Sequence, residues 1–142
     1  MKPSAVPSFK IISEFEASAP QVFDAWLDPA LIRRWMFAYY DIFEVKLDPR
    51  VGGRFSIVET SSDGDVDHFG EYRKIERPSL LIFTLSVPKE FSGSTLVKVE
   101  ISPRDEGCVM IFTQTGVSKE ITEGAWRDMF ESLSRVLKQQ TQ

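Results

Sequence analysis

The chain has 142 residues, of which 42% are hydrophobic and 27% are charged, as in a folded domain of ordinary composition. Its 17 basic and 21 acidic residues give a net charge of −4 without any basic run, which argues against a nucleic-acid partner. Its apolar stretches are too short to span a bilayer, and its start does not resemble a signal peptide. We therefore expect one cytoplasmic domain over residues 1–142, with a flexible segment at residues 1–8 and no membrane partner.

The first part of the chain predicts one strand followed by two short helices. Apolar residues alternate over residues 9–17, as in a half-exposed strand. Ser18 is the expected N-cap of a helix with a proline in its first turn, and Asp28 is the expected N-cap of a second helix. The apolar positions of these two helices are Val22, Phe23, Trp26, Leu27, Leu31, Ile32 and Trp35.

The middle of the chain has a strand pattern almost throughout. The predicted strands cover residues 41–47, 53–61, 66–75, 80–87, 95–102 and 109–115, and the breaks between them are rich in Gly, Pro, Asp and Ser. Short connections of this kind join antiparallel neighbours. Together with the first strand, they predict an antiparallel sheet of about seven strands.

The last stretch, residues 118–139, predicts one long amphipathic helix. Apolar residues recur at spacings of three and four, namely Ile121, Ala125, Trp126, Met129, Phe130, Leu133, Val136 and Leu137. A sheet with one dry face needs a cover, and this helix is the only predicted element long enough to provide it. The expected fold class is therefore α+β, with the sheet wrapped around the C-terminal helix.

Several short motifs, in this order, resemble one known family. They are the run from Pro20 to Pro29, the run from Asp48 to Phe55, Gly70-Glu71-Tyr72, and Glu123-Gly124-Ala125-Trp126. They are similar to the activator of heat-shock-protein-90 ATPase homologues, in the START-like (SRPBCC) superfamily. The resemblance implies a helix-grip fold, often with an apolar cavity between the sheet and the helix. It also implies binding of hydrophobic molecules, or co-chaperone activity as in eukaryotic members.

Asp63-Gly64 predicts a two-residue hairpin turn that would bring two ionisable residues together. A turn centred on this pair places Glu59 opposite His68, Ile57 opposite Gly70, and Phe55 opposite Tyr72. The two-residue alternation of strands puts all six side chains on one face, which we assign to the cavity. A carboxylate there would hold the histidine protonated or orient it as an acid or base. The alternative is that both residues lie near the hairpin tip in contact with water.

Other chemistry-bearing residues do not form a recognisable site. Asp63, Asp65 and Asp67 have the spacing of calcium ligands, but His68 stands where the loop needs glycine, and we predict no metal. No cofactor motif is present, and no catalytic residue is assigned. Cys108, the only cysteine, lies in an apolar run and is expected to be a buried thiol.

The sequence therefore predicts a binding protein rather than an enzyme. The ligand would be a small hydrophobic or amphipathic molecule held between the sheet and the C-terminal helix. The predicted binding residues are Phe55, Ile57, Glu59, His68, Tyr72, Phe83, Trp126, Met129 and Phe130. One alternative is an interaction module that regulates a heat-shock chaperone, and another is an enzyme that uses the Glu59 and His68 pair. Either a monomer or a homodimer is compatible with these features.

Overall fold

The computed structural model describes residues 6–37 and 42–140. Within these residues, seven strands and three helices follow one another in the predicted order. They are β1 (Ser8–Phe15), α1 (Ala19–Ala25), α2 (Pro29–Trp35), β2 (Ile42–Leu47), β3 (Arg54–Ser61), β4 (Gly64–Glu76), β5 (Leu80–Leu85), β6 (Thr95–Arg104), β7 (Gly107–Thr115) and α3 (Lys119–Gln140). Residue 41, the first of a predicted strand, lies outside the described residues.

The seven strands form one antiparallel sheet in the order β1-β7-β6-β5-β4-β3-β2. The first strand pairs with the last, from Ser8 opposite Thr115 to Phe15 opposite Cys108. Side chains alternate strictly between buried and half-buried positions along β7, because one face of the sheet packs on the helices. The α+β helix-grip architecture predicted from the sequence is confirmed.

The caps of the two short helices are also confirmed. The Ser18 hydroxyl accepts a hydrogen bond from the Gln21 backbone N–H at 3.3 Å, and the Gln21 side chain accepts from the Ser18 N–H at 3.0 Å. This reciprocal pair satisfies two backbone donors at the start of α1. The Asp28 carboxylate accepts from the Ala30 N–H at 3.0 Å and caps α2.

The apolar stripe of α3 differs from the prediction in its first turn. Ile121 was expected on the buried face but is 54% exposed, whereas Thr122 is only 6% exposed. The reason is that the Thr122 hydroxyl donates a hydrogen bond to a buried glutamine side chain of β7, Gln114, at 2.8 Å. From Trp126 onward the buried residues of the helix are those predicted.

The hairpin between β3 and β4 has a different register from the predicted one. Ser61 pairs with Gly64, so Ser62 and Asp63 form the loop, and Phe55 faces Gly70 rather than Tyr72. A turn centred on Asp63-Gly64 would need positive φ at both residues, but only Gly64 has it, at +105°. The pairing is therefore displaced by two residues, and the predicted pairing of Glu59 with His68 is wrong.

Aromatic side chains from the helices and the sheet form the core. Trp26, at the end of α1, packs edge-on against Trp35 of α2 with ring centroids 4.9 Å apart. Phe112 of β7 packs against Trp126 of α3 with ring centroids 4.6 Å apart. The space that a START-like cavity would occupy is therefore largely filled by rings.

Candidate functional site

Glu59 and His68 meet inside the molecule although they are not direct strand partners. Their register partners are Val66 and Ile57, which makes them diagonal neighbours across β3 and β4. Oε1 of Glu59 lies 3.4 Å from Nε2 of His68, and the two side chains are only 7% and 1% exposed. The alternative in which both residues contact water at the hairpin tip is therefore wrong.

Hydrogen bonding determines which nitrogen of His68 carries a proton. Nδ1 lies 3.0 Å from the carbonyl oxygen of Ile57, which can only accept, so Nδ1 is the donor. In the neutral ring Nε2 is then an acceptor. A hydrogen bond between Nε2 and the Glu59 carboxyl group consequently requires one proton at that contact.

The charge of His68 also differs from the prediction. Burial lowers the pKa of His68 to about 4, although the Ile57 carbonyl and the charge of Asp67 act in the opposite direction. The cost of removing the charged imidazolium from water exceeds the stabilisation that these two neighbours give it. His68 is thus neutral at pH 7, and the expectation that the carboxylate holds it protonated is wrong.

Two small cavities lie between the sheet and α3. The first, which we call the apolar cavity, has a volume of about 20 Å³ and is lined by Trp26, Ile32, Met36, Phe37, Leu47, Phe55, Ile57, Tyr72, Phe83, Leu85 and Trp126. The second, the polar cavity, has a volume of about 40 Å³ and is lined by Phe37, Glu59, His68, Leu85, Val87, Glu90, Phe91, Gln114, Ile121, Thr122, Ala125, Trp126 and Met129. Each cavity has room for little more than a water molecule.

A buried glutamine fixes α3 to the sheet beside the polar cavity. The side-chain oxygen of Gln114 accepts hydrogen bonds from the Thr122 hydroxyl at 2.8 Å and from Trp126 Nε1 at 3.1 Å. Its amide nitrogen donates to the Thr95 hydroxyl at 3.1 Å, and that hydroxyl donates to the Leu85 carbonyl at 2.8 Å. The network sets the position of the Trp126 ring, which lines both cavities.

Three further polar groups adjoin the cavities. Nε1 of Trp26 is buried and has no hydrogen-bond partner in the described part of the chain. Glu90 lines the polar cavity, and desolvation there raises the pKa of its carboxyl group. Burial likewise raises the pKa of Tyr72, so its phenol remains a hydrogen-bond donor at neutral pH.

The structure brings eight of the nine predicted binding residues to these cavities. The apolar cavity takes Phe55, Ile57, Tyr72 and Phe83, and the polar cavity takes Glu59, His68 and Met129, while Trp126 lines both. Phe130 lies behind Trp126, with ring centroids 5.7 Å apart, and lines neither cavity. The role of these residues in binding remains a prediction.

Sequence reasoning missed Phe37, Gln114 and the free indole N–H of Trp26. Gln114 had a detectable signal, because it is a polar residue on the otherwise apolar face of a strand that also carries Cys108, Met110 and Phe112. Trp26 was predicted to be buried in its helix, but nothing local indicates that its N–H lacks an acceptor. For Phe37 the sequence carries no signal that its ring enters the core.

A much larger depression of the described surface lies elsewhere. It has a volume of about 660 Å³ and lies where the end of β1, the β6–β7 turn and the C-terminal part of α3 meet. Six of its ten lining residues are charged: Glu14, Glu16, Arg104, Asp105, Glu106 and Lys138. This open, charged groove lacks the apolar walls of a small-molecule pocket.

The sheet, its helix and the interior between them define a helix-grip protein of the START-like class. The sequence model of the family described as "Activator of Hsp90 ATPase homolog 1-like protein" matches residues 16–139. The chain therefore belongs to this family, as its motifs indicated. No match was found among curated proteins.

Solved structures of bacterial proteins share the fold across nearly the whole chain. Protein NE0264 of Nitrosomonas europaea is 18% identical with a TM-score of 0.80, covering 94% of this chain and 96% of that one. A protein of Rhodobacter sphaeroides is 22% identical with a TM-score of 0.82, covering 96% of both chains. Protein SA2116 of Staphylococcus aureus, described as of unknown function, is 21% identical with a TM-score of 0.82 and the same coverage. At these identities the likeness concerns the fold alone.

Within the described residues, none of the helices is both long and apolar enough to cross a membrane.

Proposed function

We propose that the protein binds a small amphipathic molecule between the sheet and α3. The apolar part of the ligand contacts the aromatic walls, and its polar group binds at Glu59 and His68. The observation that carries this proposal is the burial of a carboxyl group and an imidazole in contact with each other, beside cavities in an otherwise aromatic interior. Burying two ionisable groups costs stability, and such pairs with perturbed pKa values are concentrated at functional sites.

The volumes of the cavities add a condition to this proposal. Pockets for small molecules usually measure about 300–1,000 Å³, far more than the interior offers here. The side chains that line the cavities must therefore move when a ligand enters. The ligand stabilises the rearranged state because it binds that state more tightly than the state with the small cavities.

The experiment is a thermal-shift screen with native mass spectrometry, using fatty acids, sterols, aromatic polyketides and hydrophobic metabolites. A compound at a hundredfold excess over its dissociation constant adds about 2.7 kcal/mol to the free energy of unfolding. We expect Glu59→Gln and His68→Phe, which keep the shapes of the side chains, to weaken binding at least tenfold. Ser56→Ala removes a polar group from the outer face of the same hairpin, where its hydroxyl binds Asp67 at 2.9 Å, and should leave affinity unchanged.

A silent screen, or affinity indifferent to both interior substitutions, would refute the proposal. The family description supports a second candidate, regulation of a chaperone ATPase through the protein surface. In that case the wild-type protein alters the rate of ATP hydrolysis by the chaperone, and the His68→Phe variant alters that rate to the same extent. If His68→Phe instead abolishes turnover of a bound compound, the protein is an enzyme.

A further inference from the structure

Phe37 has an unusual backbone conformation for a bulky residue. Its φ is +53°, and the only other described non-glycine residue with positive φ is Asp105, in the turn between β6 and β7. Aspartate tolerates this region, whereas a bulky phenylalanine is strained there. The backbone N–H of Phe37 is held by the sulfur of Met129 at 3.0 Å, and the residue is only 8% exposed. The strain is therefore tolerated in order to place the ring inside.

Phe37 lines both cavities, as do Leu85 and Trp126. The plane of its ring lies 17° from that of the His68 imidazole with centroids 3.7 Å apart, and the ring meets Trp126 edge-on at 5.6 Å. If the ring swings out, the two cavities and the space of the ring become continuous.

The space that Phe37 would vacate suits an aromatic ring. One side is the face of a neutral imidazole, and another is an indole held in place by Gln114. Such surroundings favour a flat π-system over a flexible alkyl chain. At the apolar cavity, the indole N–H of Trp26 lacks an acceptor in the described part of the chain. An unsatisfied buried donor of this kind lowers stability, and an acceptor on a ligand would satisfy it.

We propose that Phe37 is a displaceable plug whose ring occupies the place of the ligand, and that the ligand is a planar aromatic molecule bearing an oxygen substituent. Its ring stacks on His68 in place of Phe37, and its oxygen accepts a hydrogen bond from Nε1 of Trp26. This inference rests on the proposed function, narrows its ligand class, and adds the hydrogen bond from Trp26 to the polar contact with Glu59 and His68.

The test compares 2-naphthol, a planar aromatic alcohol, with 1-decanol, an aliphatic one. Because His68 is the only histidine of the chain, its imidazole C–H signals in a proton NMR spectrum are assigned without mutagenesis. We expect 2-naphthol to shift these signals saturably at one equivalent, and 1-decanol to leave them unchanged. Trp26→Phe removes the N–H together with the pyrrole part of the indole, so we expect it to weaken binding of 2-naphthol about tenfold more than binding of naphthalene.

Removing the plug provides a second readout. Phe37→Ala should bind 2-naphthol at least tenfold more tightly than the wild type, because no ring has to be displaced. Phe9→Ala is the matched control, since Phe9 is also 8% exposed but packs against Phe112, with ring centroids 6.1 Å apart. It should leave the affinity unchanged. If Phe37→Ala does not fold, the wild-type titration and Trp26→Phe decide the matter.

The outcomes separate this inference from the proposed function. Saturable binding of 1-decanol without binding of 2-naphthol overturns the aromatic plug but leaves ligand binding standing. If neither compound binds and the screen is silent, both proposals fail. Binding of 2-naphthol that leaves the His68 signals unmoved, or that strengthens equally in Phe9→Ala, overturns the plug alone.

Discussion

His68 shows how burial governs the chemistry of a single residue. An exposed imidazole beside a carboxylate gains charge stabilisation and stays protonated to higher pH. Here the ring is 1% exposed and stacked on Phe37, so water is excluded from the charged form. The proton on Nδ1 is held by the Ile57 carbonyl, and any donor to Nε2 must come from Glu59 or a ligand. The residue can therefore act as a neutral acceptor inside the cavity.

This environment predicts that acid destabilises the protein. In the unfolded chain His68 has its ordinary pKa of 6.5, whereas in the folded protein the pKa is about 4. Between these pH values the unfolded state binds more protons, so the free energy of unfolding falls as the pH falls. The full loss, about 3 kcal/mol, is reached below pH 4. Urea unfolding at several pH values measures it.

His68→Gln is the control, because glutamine does not titrate. It should remove the part of the pH dependence that lies between pH 6.5 and 4, leaving the contribution of the carboxylates at lower pH. An unchanged profile in His68→Gln would contradict the assignment.

At the scale of elements, Gly70 allows β4 to approach β5 closely while it pairs with β3. It faces Phe55 in β3, and a Cβ at this position would lie 1.8 Å from the carbonyl oxygen of Thr84 in β5. The β4–β5 register shifts between Tyr72 and Lys74, and pairing is found again at Phe69 and Ser86. The absence of a side chain thus permits the close approach that bends β4 around the core.

Two glycine substitutions should have opposite effects. Gly70→Ala must displace backbone atoms of β5, and we expect it to lower the free energy of unfolding by about 2–4 kcal/mol. Gly124→Ala, at an exposed position of α3 with no atom within 4 Å of the added Cβ, should raise it by about 0.5–1 kcal/mol. Urea titrations followed by tryptophan fluorescence measure both. Wild-type stability in Gly70→Ala would show that β5 can move aside.

At the scale of the whole molecule, Gln114 joins three parts of the fold. Its amide links β7 to β6 through Thr95 and to α3 through Thr122 and Trp126. The aromatic contacts between α3 and the sheet are apolar and do not by themselves specify one orientation of the helix. A satisfied polar network at the centre of this interface selects one arrangement.

Gln114→Leu should therefore destabilise the molecule by about 2–4 kcal/mol, since it leaves the Thr122 hydroxyl and the Trp126 N–H without their acceptor. Thr113→Val, one residue away in β7, is the control. The Thr113 hydroxyl is buried without a partner in the described part of the chain, so its removal should be neutral or stabilising by up to about 1 kcal/mol. Thermal unfolding distinguishes the two. Equal effects would show that the Gln114 network does not hold α3 in place.

Local pattern was sufficient for the elements and for the face on which the site lies. The caps at Ser18 and Asp28, the seven strands and the long helix all follow from spacing and turn chemistry. The prediction placed Glu59 and His68 on the correct face of the sheet although its strand register was wrong. The register error was two residues, and the side chains of a strand alternate between the faces with a period of two. An error of one residue would have placed Glu59 and His68 on opposite faces of the sheet.

The sequence by itself determined the class of fold, the family and the aromatic face, since these depend on periodicities that neighbouring residues carry. Only the tertiary structure decided the diagonal contact of Glu59 with His68, the inward ring of Phe37 and the volumes of the cavities. These depend on how residues distant in the chain compete for the same space and for water. Burial, which sets the charge of His68, is a property of the whole packed core and is not encoded in any local pattern.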